Sequence, residues 1–288
     1  MSLTSVVLAA LLIAAMLAVG TTVDLAGLAR VLRRPAPVAV AVAANALVMP
    51  GLAVLLLAVF DVSGPGVVGV VLAAAAPGGG SGALLAHHAR ADAALAVSLQ
   101  AVLAVAGLVI LPAWLTVAEV RWEIGLAALP TVDAVLLVAG SLVGQLVPLG
   151  VGMWLRARRP QLAVRVHAVA RRIADVLLAG IVLWSLLANA HRLGEVPLVV
   201  YAVIAAVVAV GLATYASPGL GAASGRGAVA MTTTVRNLSL ALFVAAFAPD
   251  PGRVILTVLA YGLVMYAAAV AAIGPMRRAA ARPAARPV

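Results

Sequence analysis

The chain has no cysteine and no lysine, and it is poor in charge and in aromatic rings. Without cysteine, disulfides, thiol catalysis and cysteine-bound metals are excluded. Charged residues make up 10% of the chain, against about 25% in soluble domains. So few charges cannot cover a water-facing surface, and a soluble globular fold is excluded with them. Aromatic residues make up only 4%, which argues against a large stacking platform for a flat ligand. No nucleophile–base–acid set, no phosphate-binding glycine loop after a strand and no His-Glu-x-x-His pattern occurs, so nothing points to an enzyme or to a cofactor.

What the chain does have is apolar length. Of its 288 residues 65% are hydrophobic, and a membrane-spanning helix needs about 20 of them in a row. Nine such stretches are predicted, at 3–22, 37–59, 66–86, 93–117, 131–155, 173–190, 197–216, 227–248 and 253–274. The expected fold is therefore an all-α polytopic membrane protein. No basic region precedes Leu3–Val19, so that segment reads as a span and not as a cleaved signal.

All 19 basic residues are arginines and the net charge is +10. They fall in the joins between apolar stretches, which is a mark of topology and not of nucleic-acid binding. With the N-terminus outside, fifteen arginines are cytoplasmic and only Arg121, Arg192 and Arg253 are external. This bias predicts an N-out, C-in protein of the inner (plasma) membrane, ending in a basic cytoplasmic tail at 275–288. The Arg156–Arg172 stretch reads as a cytoplasmic linker contacting lipid headgroups. His87 and His88 read as solvated loop residues.

Two of the apolar stretches are interrupted. Pro77-Gly78-Gly79-Gly80-Ser81-Gly82 puts four glycines into six residues, and Thr232-Thr233-Thr234-Val235-Arg236-Asn237 places a polar cluster in another span. Lipid cannot satisfy the backbone groups that such breaks release, so they must face protein or water. The third of segments 1–4 and the third of segments 6–9 are the broken ones. Equivalent helices then have opposite orientations, an inverted repeat that leaves segment 5 unpaired, and paired breaks of this kind mark a transporter's substrate site.

Arg236 is the most informative residue. An arginine at the centre of a spanning helix costs about 2.5–3.5 kcal/mol on insertion scales and normally faces protein or a wet cavity. Snorkelling to an interface is difficult, because Arg226 and Asp250 mark the ends of the segment ten and fourteen residues away. A structural pair lacks a partner, since Asp133 and Asp175 lie near segment ends. No titratable carboxylate or histidine is expected deep in the membrane, so proton coupling is not favoured.

The motifs PGGGSGALLAHHAR at Pro77–Arg90, GTTVDLAGLARVLRRP at Gly20–Pro35 and TTTVRNLSLAL at Thr232–Leu242 together resemble the bile acid:sodium symporter family. The resemblance implies a fold of nine or ten helices, here nine. Its core would be formed by residues of about 37–117 and 197–274, and its panel by about 3–22, 131–155 and 173–190. It also implies two sodium sites, whose positions here are Gly82, Ala83, Ala96, Gln100 and Thr232 for one, and Asn45, Thr232 and Arg236 for the other. Thr232 and Arg236 stand where the family has an acidic residue and a glutamine. Sodium needs oxygen ligands of negative character, so both sites read as abolished.

The expected function is a sodium-independent secondary transporter of a small organic anion, working by alternating access within the lipid bilayer. A channel or sensor gated by Arg236 is the alternative. The candidate substrate-binding residues are Arg236, Asn237, Thr233, Thr232, Asn45, Gln100, Gly79, Gly80 and Ser81. Arg236 can act by replacing the sodium charge or by holding the anion itself. For Asn45, Gln100 and Asn237 the competing role is interhelical hydrogen bonding. For the threonines it is bonding to carbonyls of their own helix.

Overall fold

A computed structural model describes residues 3–23, 25–124, 131–189 and 194–281. Arg192, Arg282 and Arg286, which enter the charge count above, lie outside these residues, as does the second half of the expected tail.

Every regular element among the described residues is helical. In chain order they are α1 (Leu3–Thr22), α2 (Leu25–Leu32), α3 (Pro35–Ala43), a π-turn (Ala44–Val48), α4 (Met49–Val59) and α5 (Pro65–Ala74). Then follow α6 (Ser81–His88), α7 (Ala93–Trp122), α8 (Thr131–Arg158) and α9 (Pro160–Asn189). The rest are α10 (Leu198–Ala213), α11 (Ala223–Thr234), α12 (Leu238–Ala245) and α13 (Pro251–Ala280).

Local chemistry sets many of the boundaries. Proline opens α3, α5, α9 and α13, where its fixed φ suits the first turn and its missing N–H is not needed. Asp92, Asn237 and Asp250 cap α7, α12 and α13 by accepting from the amides of Leu95, Leu240 and Arg253 at 3.0, 3.1 and 3.2 Å. Glu123 ends α7 in the left-handed region at φ 50°.

Five helical stretches among the described residues are long and apolar enough to cross a membrane: Pro35–Val59, Ala93–Trp122, Leu198–Ala216, Ala223–Ala245 and Pro251–Ala280. Val6–Thr22 and Pro65–Ala74 are apolar but shorter. Large apolar side chains also stand on the outside of the bundle, among them Val109, Val120, Trp184 and Leu198. Water would penalise that exterior, whereas hydrocarbon does not.

Helix α1 packs chiefly on α8 and α9, while α4, α5, α10, α11 and α13 pack on one another. The α1–α8 approach is close because Gly20 and Gly152 face each other: a Cβ on Gly152 would meet the Leu17 carbonyl at 2.7 Å. Small residues at such crossings let dispersion forces act without a water-driven term.

The structure corrects three sequence expectations. The Arg156–Arg172 linker is helical except at Arg159, because α8 runs to Arg158 and α9 starts at Pro160. A hydropathy scan registers only apolar length, so it takes an arginine-bearing helical turn for a loop. His87 and His88 form the last turn of α6 and are not loop residues. The breaks are also displaced: the first spans residues 75–80 and the second 235–237, so that Ser81 opens α6 while Thr232, Thr233 and Thr234 close α11.

Candidate functional site

The two breaks meet. The Asn237 amide donates to the Ala76 carbonyl at 2.8 Å, so the backbone of one break satisfies the other. Gly79 makes the contact possible, since a Cβ there would collide with the carbonyl of Arg236. Gly78, at φ 80°, lies against the backbone of α7, where a Cβ would meet the Ala104 nitrogen at 2.6 Å. Gln100 on α7 ties the first break down, donating from Nε2 to the Gly79 carbonyl and accepting from the Ala83 amide at 3.3 Å. Ser81 Oγ and Tyr266 Oη lie 2.7 Å apart, linking α6 to α13.

Arg236 is 1% exposed and heads the largest fully buried side chains. Its guanidinium donates to the Ala74 carbonyl at 3.3 Å, to the Thr233 carbonyl, and to Met49 Sδ at 2.6 Å. Ala74 is the last residue of α5 and Thr233 lies in the last turn of α11. The cation thus occupies the C-terminal ends of two half-helices, where unpaired carbonyls carry the negative pole of the helix dipole. Its own backbone amide donates to Met265 Sδ at 3.1 Å. Four buried polar atoms near this arrangement have no hydrogen-bond partner among the described residues: Arg236 Nε, Thr233 Oγ1, Asn45 Oδ1 and Tyr261 Oη.

On the opposite side of the crossing lies a cavity of about 320 Å³, within the usual range for a small-molecule site. Gly79, Gly80, Ser81, Gln100, Arg236 and Asn237 border it. Six of the nine sequence-predicted residues are therefore brought together on its wall. Met49, Ala74 and Thr233, which hold the guanidinium, are not on that wall, so the charged end of Arg236 is engaged away from the cavity.

Asn45, Thr232 and Thr233 do not border the cavity either. Asn45 donates to the Ala41 carbonyl at 2.7 Å and sits one turn before Met49. Thr232 and Thr234 donate to carbonyls four residues back, Ala228 and Ala230, at 2.8 and 2.7 Å. Asn237 caps α12 with its oxygen while its buried Nδ2 has no partner. Asn237 as a residue borders the cavity, while its Nδ2 is sealed from solvent at the N-terminus of α12.

Sequence reasoning missed the far wall. His167, Arg171 and Asp175 on α9 border the cavity, with His87 on α6 and Tyr266 on α13. The signal was present in the spacing, because residues four apart share one helix face. It was hidden by reading 156–172 as a loop.

A family model described as the Sodium Bile acid symporter family matches residues 9–196, a span that includes the first break and the α9 wall. No individual curated protein matches the chain. The glycine-rich break, its tie to α7, the apolar exterior and this match agree with one another: the chain is a multi-pass membrane transporter of the bile acid symporter type and belongs to the sodium bile acid symporter family.

Proposed function

We propose that the protein is a sodium-independent secondary transporter of a small organic anion, in which the Arg236 guanidinium is a built-in replacement for a coupling cation. The observation that carries this reading is the donation from Arg236 to the Ala74 and Thr233 carbonyls. Half-helix C-termini are where transporters of broken-helix architecture hold sodium. A second cation about 4 Å from the guanidinium would be repelled by roughly 4 kcal/mol at an effective dielectric constant near 20. That penalty is comparable to the whole binding free energy of a millimolar site, about 4 kcal/mol, so sodium is excluded.

The anion is placed on the cavity side. The first turns of α6 and α12 reach the cavity through Ser81 and Ser239, and such helix ends attract negative charge. The nine sequence segments are taken as nine spans in two inverted units, with α1, α8 and α9 as the panel. The membrane is taken as the inner (plasma) membrane with the N-terminus outside, so the cavity opens to the cytoplasm. The activity is carriage without chemistry.

The test is uptake of the transported anion with choline in place of sodium. The expected rate is unchanged, and counter-loaded substrate accelerates it. A steep dependence on sodium would overturn the fixed-cation reading. Absence of trans-stimulation would indicate a channel.

A further inference from the structure

We propose that His167 couples anion binding to the uptake of one proton, making the protein a proton–anion symporter. This rests on the anion-transport reading above.

The tautomer of His167 is fixed by its neighbours. Its Nδ1 lies 3.1 Å from the Ala18 carbonyl and 3.3 Å from Thr21 Oγ1. A carbonyl oxygen can only accept. Thr21 has one hydroxyl proton, and it is donated to the same Ala18 carbonyl at 2.7 Å. Both contacts therefore require the hydrogen to be on Nδ1. The remaining nitrogen, Nε2, has no hydrogen-bond partner among the described residues, and the half-buried ring borders the cavity.

Two states of the cavity wall follow. With neutral imidazole, Nε2 offers a lone pair, which repels an anionic oxygen. With a proton bound, Nε2 becomes an N–H donor carrying positive charge, and an anion can be held. The Ala18 carbonyl, near the C-terminal end of α1, keeps Nδ1 as a donor in both states. The proton comes from bulk water, resides on Nε2 while the anion is bound, and leaves with it on the other side.

Arg236 borders the same cavity as a permanent cation, and the other charged groups around the ring are few. Arg171 and Asp175 lie on α9 itself and pair with each other at 3.5 Å. Arg156 and Arg158 are in the last turn of α8, His87 is on α6 and Tyr266 on α13. The cavity-lining residues of α1, α7 and α12 carry no ionisable group. Among the described residues His87 is the other imidazole on the wall, and His88, next to it on α6 but not on the wall, is the internal control.

The experiment is calorimetric titration of the purified protein with small monocarboxylates (propionate, lactate and benzoate) in two buffers of different ionisation enthalpy. The wild type is expected to take up about one proton per anion bound, with affinity falling as pH rises. His167→Gln is expected to bind with no proton uptake and with affinity independent of pH. His167→Asn, which can keep an amide donor to Ala18, guards against a folding defect, and His88→Gln, off the cavity wall, is expected to behave as wild type. Anion binding without proton uptake, or uptake that persists in both His167 variants, overturns the proton-coupling inference and leaves anion transport standing. If none of the carboxylates binds at any pH, the anion reading and this inference fall together.

Discussion

Arg236→Gln is expected to lower stability by about 2–4 kcal/mol and to make the protein sensitive to sodium. The loss follows from the hydrogen bonds that the guanidinium gives to the Ala74 and Thr233 carbonyls. Bonds to charged groups contribute about 1.5–3 kcal/mol each, and one short amide replaces only part of them. Removing a buried charge that lacks a carboxylate partner offsets some of this cost. The carbonyls left behind, together with Asn45 Oδ1 and the new Gln oxygen, form a set of hard oxygen donors without a resident cation. Thermal unfolding in sodium against choline reads the outcome. Wild type should show no difference, and the variant should be stabilised by sodium alone. A variant as stable as wild type and indifferent to sodium would remove the cation role from Arg236. Arg236→Lys should fall between the two, because an ammonium cannot present the planar fork that reaches two carbonyls.

The second large effect is expected at Gly79. A Cβ there has no place to go, because the nearest atoms are the backbone carbonyl group of Arg236 and the amide nitrogen of Asn237. Backbone cannot rotate aside as a side-chain end can. Gly79→Ala should therefore separate the breaks, loosen the Asn237–Ala76 hydrogen bond and cost about 1–3 kcal/mol or more from overpacking alone. Transport should be lost even where folding survives, since both anion donors and the Gln100 tie depend on the crossing. Gly80→Ala is the matched control, with its nearest neighbour, Val19 Cγ2, at an ordinary 3.6 Å. Flux and unfolding temperature of the two variants should diverge. Equal behaviour would mean that the crossing is not a tight contact.

Much of this arrangement was legible in the sequence, for physical reasons that differ by element. Glycines cannot be tolerated in lipid as free backbone, so the first break announced itself. Arg236 did so through its insertion cost, and the family resemblance rested on these two places together with Gly20–Pro35. The direction of the guanidinium was not legible. It depends on Ala74 and Thr233 ending their helices at the right height, and on Met49, a residue whose thioether looks like ordinary apolar packing in a sequence. The site wall on α9 was lost for the opposite reason. His167, Arg171 and Asp175 have the spacing of a helix face, yet their polarity hides them from a search for apolar runs. Asn45 shows a third case: its position was noted, but the π-turn at Ala44–Val48 has no signature in residue type.

Because no carboxylate among the described residues pairs with Arg236, the crossing keeps one net positive charge throughout the proposed cycle. A cation bound from solution can be shed before resetting; a side chain cannot. Resetting the empty carrier would then move charge through the electric field of the membrane, at about 2.3 kcal/mol per elementary charge for each 100 mV fully crossed. A negative interior would hold the unloaded protein with its cavity toward the cytoplasm, and voltage steps applied without substrate should evoke transient currents that vanish in Arg236→Gln.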